Sequence, residues 1–217
     1  MRCRRVNPRL SIGTVSAAVL MVAAAACGGE KPQAASADST HAGMAGMEGM
    51  QHGAPVTIPP GALYTLADVQ FMQGMIAHHG QAIFMSRLAA SHHANARLLK
   101  FAQKIDQSQR AEIRLMQDWL QANNQFAPDT TAYHTMMMPG MLTAAQVAQL
   151  DAARGAEFDK QFLVLMIQHH EGALKMVADL LASPRAAQDV DVSVFANDVD
   201  VVQTAEIALM HQMLADL

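Results

Sequence analysis

Cysteine is almost absent from this chain of 217 residues: there are two, Cys3 and Cys27. Both lie before the first helical periodicity, so neither a disulfide nor a thiolate metal site can form inside the folded part. Basic residues are also scarce, 15 Lys and Arg against 19 Asp and Glu. An acidic chain without a basic, aromatic surface is a poor fit to nucleic acid. No glycine-rich phosphate loop and no nucleophile–base–acid arrangement can be found, which disfavours nucleotide-binding and hydrolytic functions. Aromatic residues make up 5% of the chain, with one tryptophan. Whatever core forms is therefore aliphatic and thioether in character.

What replaces them is methionine and histidine, 17 and 10 respectively. Methionine fills irregular gaps in helical cores, so its abundance alone favours an all-α fold. It becomes an argument about metals only where Met and His positions coincide. With 51% apolar residues over this length, one domain with a sizeable core is expected.

The first 27 residues read as a targeting segment: "MRCRRVNPR", then the apolar run "LSIGTVSAAVLMVAAAA", then Cys27. The run is too short for a convincing membrane span. "AAAC" resembles the lipobox of bacterial lipoproteins, although Ala24 stands where Leu or Val is commoner. The expectation is an exported, cell-envelope protein (periplasm or outer surface) anchored to the membrane by lipid on Cys27, with plain secretion as the alternative. Cleavage before Cys27 would remove four of the 15 basic residues and none of the 19 acidic ones, leaving a net charge near −8. Residues 28–60, rich in Gly, Ala, Ser, Pro and Gln, are expected to be a flexible tether. Within it "HAGMAGMEGMQHG" sets His41, Met44, Met47, Met50 and His52 among small residues.

Residues 61–217 are expected to form the domain. Helical periodicity runs from Leu63 to Gln125 with a break around Ser91 to Ala94, then from Thr143 to Leu181 and from Ala186 to Leu217. The two halves, 63–125 and 143–217, repeat each other. "DVQFMQGMIAHHGQAIFM" matches "DKQFLVLMIQHHEGALKM" at an offset of 91, His78 to His169. "DQSQRAEIRLMQDWL" matches "DVVQTAEIALMHQML" at an offset of 94, Gln109 to Gln203. Two helix hairpins joined by a linker give an all-α four-helix bundle.

At 100° per residue, Asp68, Met72, Met75, His79, Ala82 and Ser86 share a stripe roughly 80° wide, with Phe71, His78 and Met85 on its shoulder. Met75 and His79 are four apart and face the same way, as do Met166 and His170. Glu112/Met116 and Glu206/Met210 repeat the spacing on the partner helices. One such pair is ordinary core; duplicated imidazole pairs need partners for their ring nitrogens, and a metal ion is one. Thioether is a good ligand for Cu(I) and a poor one for Zn²⁺, Mg²⁺ or Ca²⁺, while imidazole serves both copper states. Met and His without Cys therefore point to copper, Cu(I) or Cu(II). The tether and the linker "YHTMMMPGM", with His134, Met136, Met137, Met138 and Met141, offer accessory ligands.

The two "MI-x-HH" segments, the "MPGMLTAAQ" stretch and "GAEFDKQFLVLMIQHHEGALKM" resemble the DUF305 family from about Ala67 to Leu217. That resemblance implies a ferritin-like four-helix bundle, export, and an association with copper. The positions it carries over are Met75, His78, His79, Met166, His169 and His170, with the Glu112/Met116 and Glu206/Met210 pairs. Gly80 and Phe84 depart from its commoner pattern, where polar residues are expected. Three functions remain in play. The first is copper sequestration or relay, with a protein partner in transfer. The second is a copper oxidase. The third is a helical interaction module without metal. Di-iron chemistry is disfavoured, because neither Glu112 nor Glu206 has a His three residues later.

Overall fold

The computed structural model describes residues 56–217. The leader, Cys27 and the tether positions His41, Met44, Met47, Met50 and His52 lie outside the described residues. Four long helices carry the fold: α1 (Leu66–Ser91), α2 (Ala96–Ala122), α4 (Gly155–Ala182) and α5 (Val190–Ala215). A nine-residue helix, α3 (Ala144–Ala152), precedes α4, and one 3-10 turn, Ala132–His134, interrupts the linker. The described residues are thus all helical or loop, as the periodicity requires.

Helix α2 shows why these segments fold as they do. Its buried positions Leu98, Phe101, Ala102, Ile105, Gln109, Ile113, Met116, Trp119 and Leu120 recur every three or four residues, a single stripe. Asn95 starts the helix by accepting from the amides of Arg97 and Leu98. Helix α1 is different: from Asp68 to Ile83 nearly every residue is buried. It packs against α2 on one side and α4 on another, and the linker crosses it.

Two departures from the sequence reading have local causes. The segment from Thr143 to Leu181 is two helices, parted at Ala153 and Arg154. Both have extended backbone, and Gly155 follows at φ +58. Gly155 donates its amide to the His92 carbonyl at 2.8 Å, so the break is tied to the α1–α2 turn. The end of the presumed tether is also packed: Val56 and Ile58 lie against the core, and Gln125 Nε2 donates to the Thr57 carbonyl.

Each hairpin is latched to the turn of the other. Buried Asp68 closes a capping box with Thr65 at the start of α1, and its Oδ1 accepts from the Ala187 amide at 2.7 Å in the α4–α5 turn. Asp159, at the equivalent place in α4, accepts from the Asn95 amide and from Asn95 Nδ2 at 2.8 Å in the α1–α2 turn. Asp68→Ala therefore loses a cap and strands the Ala187 amide. The expected loss is about 3 kcal/mol, or roughly 6–10 °C in Tm, read by thermal unfolding. A fall of less than one degree would show the latch to be idle.

The linker is strapped across α1 and α4. Gln81 holds Leu142 from both sides, Nε2 donating to its carbonyl at 3.1 Å and Oε1 accepting from its amide at 2.7 Å. Gln168 Nε2 donates to the Gly140 carbonyl at 3.2 Å. The strap lies so close that a Cβ at Gly80 would overlap the Thr130 carbonyl, and one at Gly172 would overlap the Pro139 carbonyl. Phe84 meets Tyr133, ring centroids 6.0 Å apart. Gly80 and Phe84 are thus, with Gln81, among the residues of α1 that the strap touches.

Candidate metal centre

Helices α1 and α4 each present two successive histidines to the middle of the bundle. His78, His79, His169 and His170 are fully buried. The His78 and His169 rings lie 3.7 Å apart between centroids, and within each pair the centroids are 6.4 and 6.3 Å apart. At each end of this row stands a carboxylate from the partner helix. His79 Nε2 is 2.6 Å from Glu112 Oε2, and His170 Nε2 is 2.9 Å from Glu206 Oε2. The same contact therefore occurs at both copies of the register. Glu206 is buried, while the Glu112 side chain keeps 24% of its surface open to solvent.

The four proposed sulfur ligands are also fully buried. Met75 and Met116 belong to one core cluster and Met166 and Met210 to the other. The first cluster also takes in Met72, Met176 and two linker residues, Met138 and Met141. The accessory positions thus separate. Met138 joins the core, whereas Met137 and His134 stay exposed and His134 lies against Tyr133.

Polar accounting makes the row unusual. His79 and His170 each have one nitrogen on a carboxylate and leave Nδ1 buried without a protein partner. His78 Nε2 donates to the Pro139 carbonyl at 3.1 Å, again leaving Nδ1 bare, and neither nitrogen of His169 has a partner. Buried polar atoms are nearly always satisfied, so five bare ring nitrogens in one row call for a partner from outside the protein, water or an ion. Where a carboxylate fixes one nitrogen of a neutral imidazole as a donor, the other carries the lone pair that ligates metal. The residues therefore fit a soft ion. Among the described residues no three His, Cys, Asp or Glu side chains converge into a ready-made cage, so thioether sulfur would have to complete any ligand set.

The electrostatics favour neutral rings at His78 and His169. Burial, and then the charges that His79 and His170 would carry, push His78 well below the ordinary histidine value, against the opposing pull of the Pro139 carbonyl. Burial and the neighbouring histidines push His169 down likewise. Burial raises Glu112, but its hydrogen bond to His79 and the charges of His79 and His170 more than offset this, and it ends below the usual carboxylate value.

Residues 68–214 match the family described as Domain of unknown function (DUF305). The chain belongs to the DUF305 family. Among solved structures, this DUF305 chain is similar to a DUF305 fragment from Deinococcus radiodurans at 30% identity and TM-score 0.62, covering 71% of this chain and 99% of that one. A DUF305 protein from Streptomyces coelicolor matches at 27% identity and TM-score 0.61, covering 69% and 93%. CopM in its Cu(II)-bound form matches at 26% identity and TM-score 0.56, covering 69% and 96%. CopM has also been solved with Cu(I) and with silver. No protein of curated function matches the chain.

Parts of the candidate site are not legible in the sequence. Pro139, Gln81 and Gln168 act through backbone contacts that no spacing reveals, although Gly172 inside a helix was a signal. A third doublet, His92–His93, was passed over. His92 is buried with Nε2 2.9 Å from the Asp151 carbonyl and 3.2 Å from its Oδ1, while Ser91 Oγ meets Nδ1 at 2.9 Å. Both its nitrogens are satisfied, so it ties α1 to α3 and offers no lone pair.

Proposed function

We propose that this DUF305 protein binds copper in the bundle interior for sequestration or relay in the cell envelope, without catalysing a reaction. The observation that carries the reading is the row of buried imidazoles with bare nitrogens, with buried Met75 and Met166 four residues before His79 and His170 on the same helices. Its Glu112 and Glu206 ends orient His79 and His170 so that Nδ1 faces a prospective ion, and Met75, Met116, Met166 and Met210 supply sulfur. This donor set suits Cu(I) and silver and suits hard cations badly. Copper and silver bound to CopM, a protein of similar fold, support the same choice. His41, Met44, Met47, Met50 and His52 would serve as a capture tract on the tether, and the leader with Cys27 would deliver the chain to the envelope and anchor it there by lipid. Transfer onward would need a protein partner able to lift the strap.

Competition titration of Cu(I) against a chromogenic chelator tests the reading. Changing His78, His79, His169 and His170 together to Asn should remove the tight equivalents and weaken what remains at least a hundredfold, about 2.7 kcal/mol. Circular dichroism checks that the variant is still helical. Unchanged tight binding in a folded variant would move the site out of the bundle. Turnover of Cu(I) by dioxygen in a steady-state assay would convert the reading into an oxidase.

A further inference from the structure

The two ends of the histidine row share a residue set but not an electrostatic setting. Lys104 of α2 reaches across to Glu206, with Nζ 3.5 Å from Oε1. Among the described residues the only basic side chain within ion-pair distance of Glu112 is His79 itself, with no lysine or arginine beside it. The register shows why: at the offset of 94 that relates α2 to α5, Lys104 corresponds to Asp198. An ammonium stands beside one carboxylate where the sequence of the other hairpin has an acid. The sulfur supply is uneven in the same sense. Six buried methionines lie in the cluster with Met75 and Met116, helped by Met138 and Met141 of the strap, against four in the cluster with Met166 and Met210.

Resting on the copper reading above, we infer that Lys104 makes the two stations unequal, so that a soft monovalent cation loads first at His79–Glu112 and only afterwards at His170–Glu206. The chemistry is plain. A cation held by His170 is stabilised through Glu206, a carboxylate already partly neutralised by the ammonium, which also repels the cation. A cation held by His79 is backed by Glu112, which has no lysine or arginine within ion-pair distance among the described residues. Lys104 is itself 65% exposed, so water and salt screen it. The expected difference between stations is therefore about threefold rather than many orders of magnitude. Graded stations suit a protein that fills to one ion at low copper and to two when copper rises.

The test uses the full-length chain and Cu(I) alone, under inert gas with a chelator in competition. A background carrying H79N and E112Q isolates the second station. There K104Q should tighten Cu(I) by about threefold, which is about 0.6 kcal/mol. K104R, which keeps the charge, should leave it unchanged, and the gain from K104Q should shrink as salt is raised from 0.05 to 0.5 M. In the otherwise unaltered chain K104Q should bring the two binding steps closer together, a readout that survives if the background variant folds poorly. Equal affinity with Lys, Gln and Arg in that background would overturn the inference and leave the copper reading standing. Should no chain bind more Cu(I) than the variant lacking all four histidines, the copper reading fails, and this inference fails with it.

Discussion

Acidifying the metal-free protein from pH 7 to pH 5 should destabilise it more than any single substitution named above. His78 and His169 are both held well below the ordinary histidine value of 6.5. In the unfolded chain they titrate near that value. Above it neither state takes up a proton, and stability is flat. Below it the unfolded chain binds two protons that the folded chain refuses, so folding free energy falls with pH until the folded rings themselves protonate. The slope reaches about 1.4 kcal/mol per pH unit for each ring and about 2.7 for the two. Glu112 adds to the loss at lower pH. Its folded value lies below 4.5, so its contribution is present above 4.5 and disappears as pH falls through the folded value. Denaturant unfolding at pH 7.5, 6.5 and 5.5 in the presence of a chelator measures this directly. A variant with His78 and His169 changed to Asn should lose most of the slope. A flat profile between 7 and 5 would mean that the rings are protonated or exposed in the folded protein.

The second large effect is expected at Gly172. A methyl group there would run into the Pro139 carbonyl and the Gly140 Cα, which is backbone and cannot swing aside as a side chain does. Gly140 itself sits at φ +76 and is equally crowded, against Gln168 and Gly172. The strap must therefore lift. Lifting breaks the His78–Pro139 and Gln168–Gly140 contacts and uncovers Met138 and Met141. Gly172→Ala should cost about 3 kcal/mol, at the upper end for overpacking, even after the helix-propensity gain of alanine, about 1 kcal/mol. Gly155→Ala is the control. Its φ is +58, but nothing lies near the added methyl, so only the backbone penalty of about 1–2 kcal/mol applies. Limited proteolysis of residues 126–142 alongside thermal unfolding distinguishes a lifted strap from a globally weakened bundle. Equal losses at the two glycines would deny the close approach.

The contrast between those glycines also shows where sequence reasoning reached its end. The four long helices follow from period and register, whereas the contacts of His79 with Glu112 and of His170 with Glu206 appear only in the structure. Residues four apart on one helix face the same way. The same logic carried Met75 and Met166 into the core. It could not tell that α1 would be covered on nearly every side, because the strap's contacts are made by carbonyls and glutamine amides, which have no periodicity. Gly80 and Phe84, noted in the sequence only as unusual for the resemblance, are docking points for the strap. The break at Ala153 and Arg154 was hidden for a related reason: the residues are good helix formers, and the turn is fixed by a bond from Gly155 to His92. The inequality of Glu112 and Glu206 was present in the sequence as Lys104 against Asp198, but it means something only once Glu206 is seen beside the lysine.

The strap has a consequence for the order in which the molecule assembles. Each hairpin closes over a short turn, so its contacts are local and can form quickly. Gln81 and His78, by contrast, reach partners 61 residues away, Leu142 and Pro139. On its other side the strap rests on Gln168 and Gly172 of α4, so it seats fully only once both hairpins exist and have come together. The strap is thus the last piece to seat and, in native-state hydrogen exchange, should be the first to open. During that interval the histidine row is formed but uncovered on the strap side. A newly made chain could therefore acquire its ion before it is fully closed.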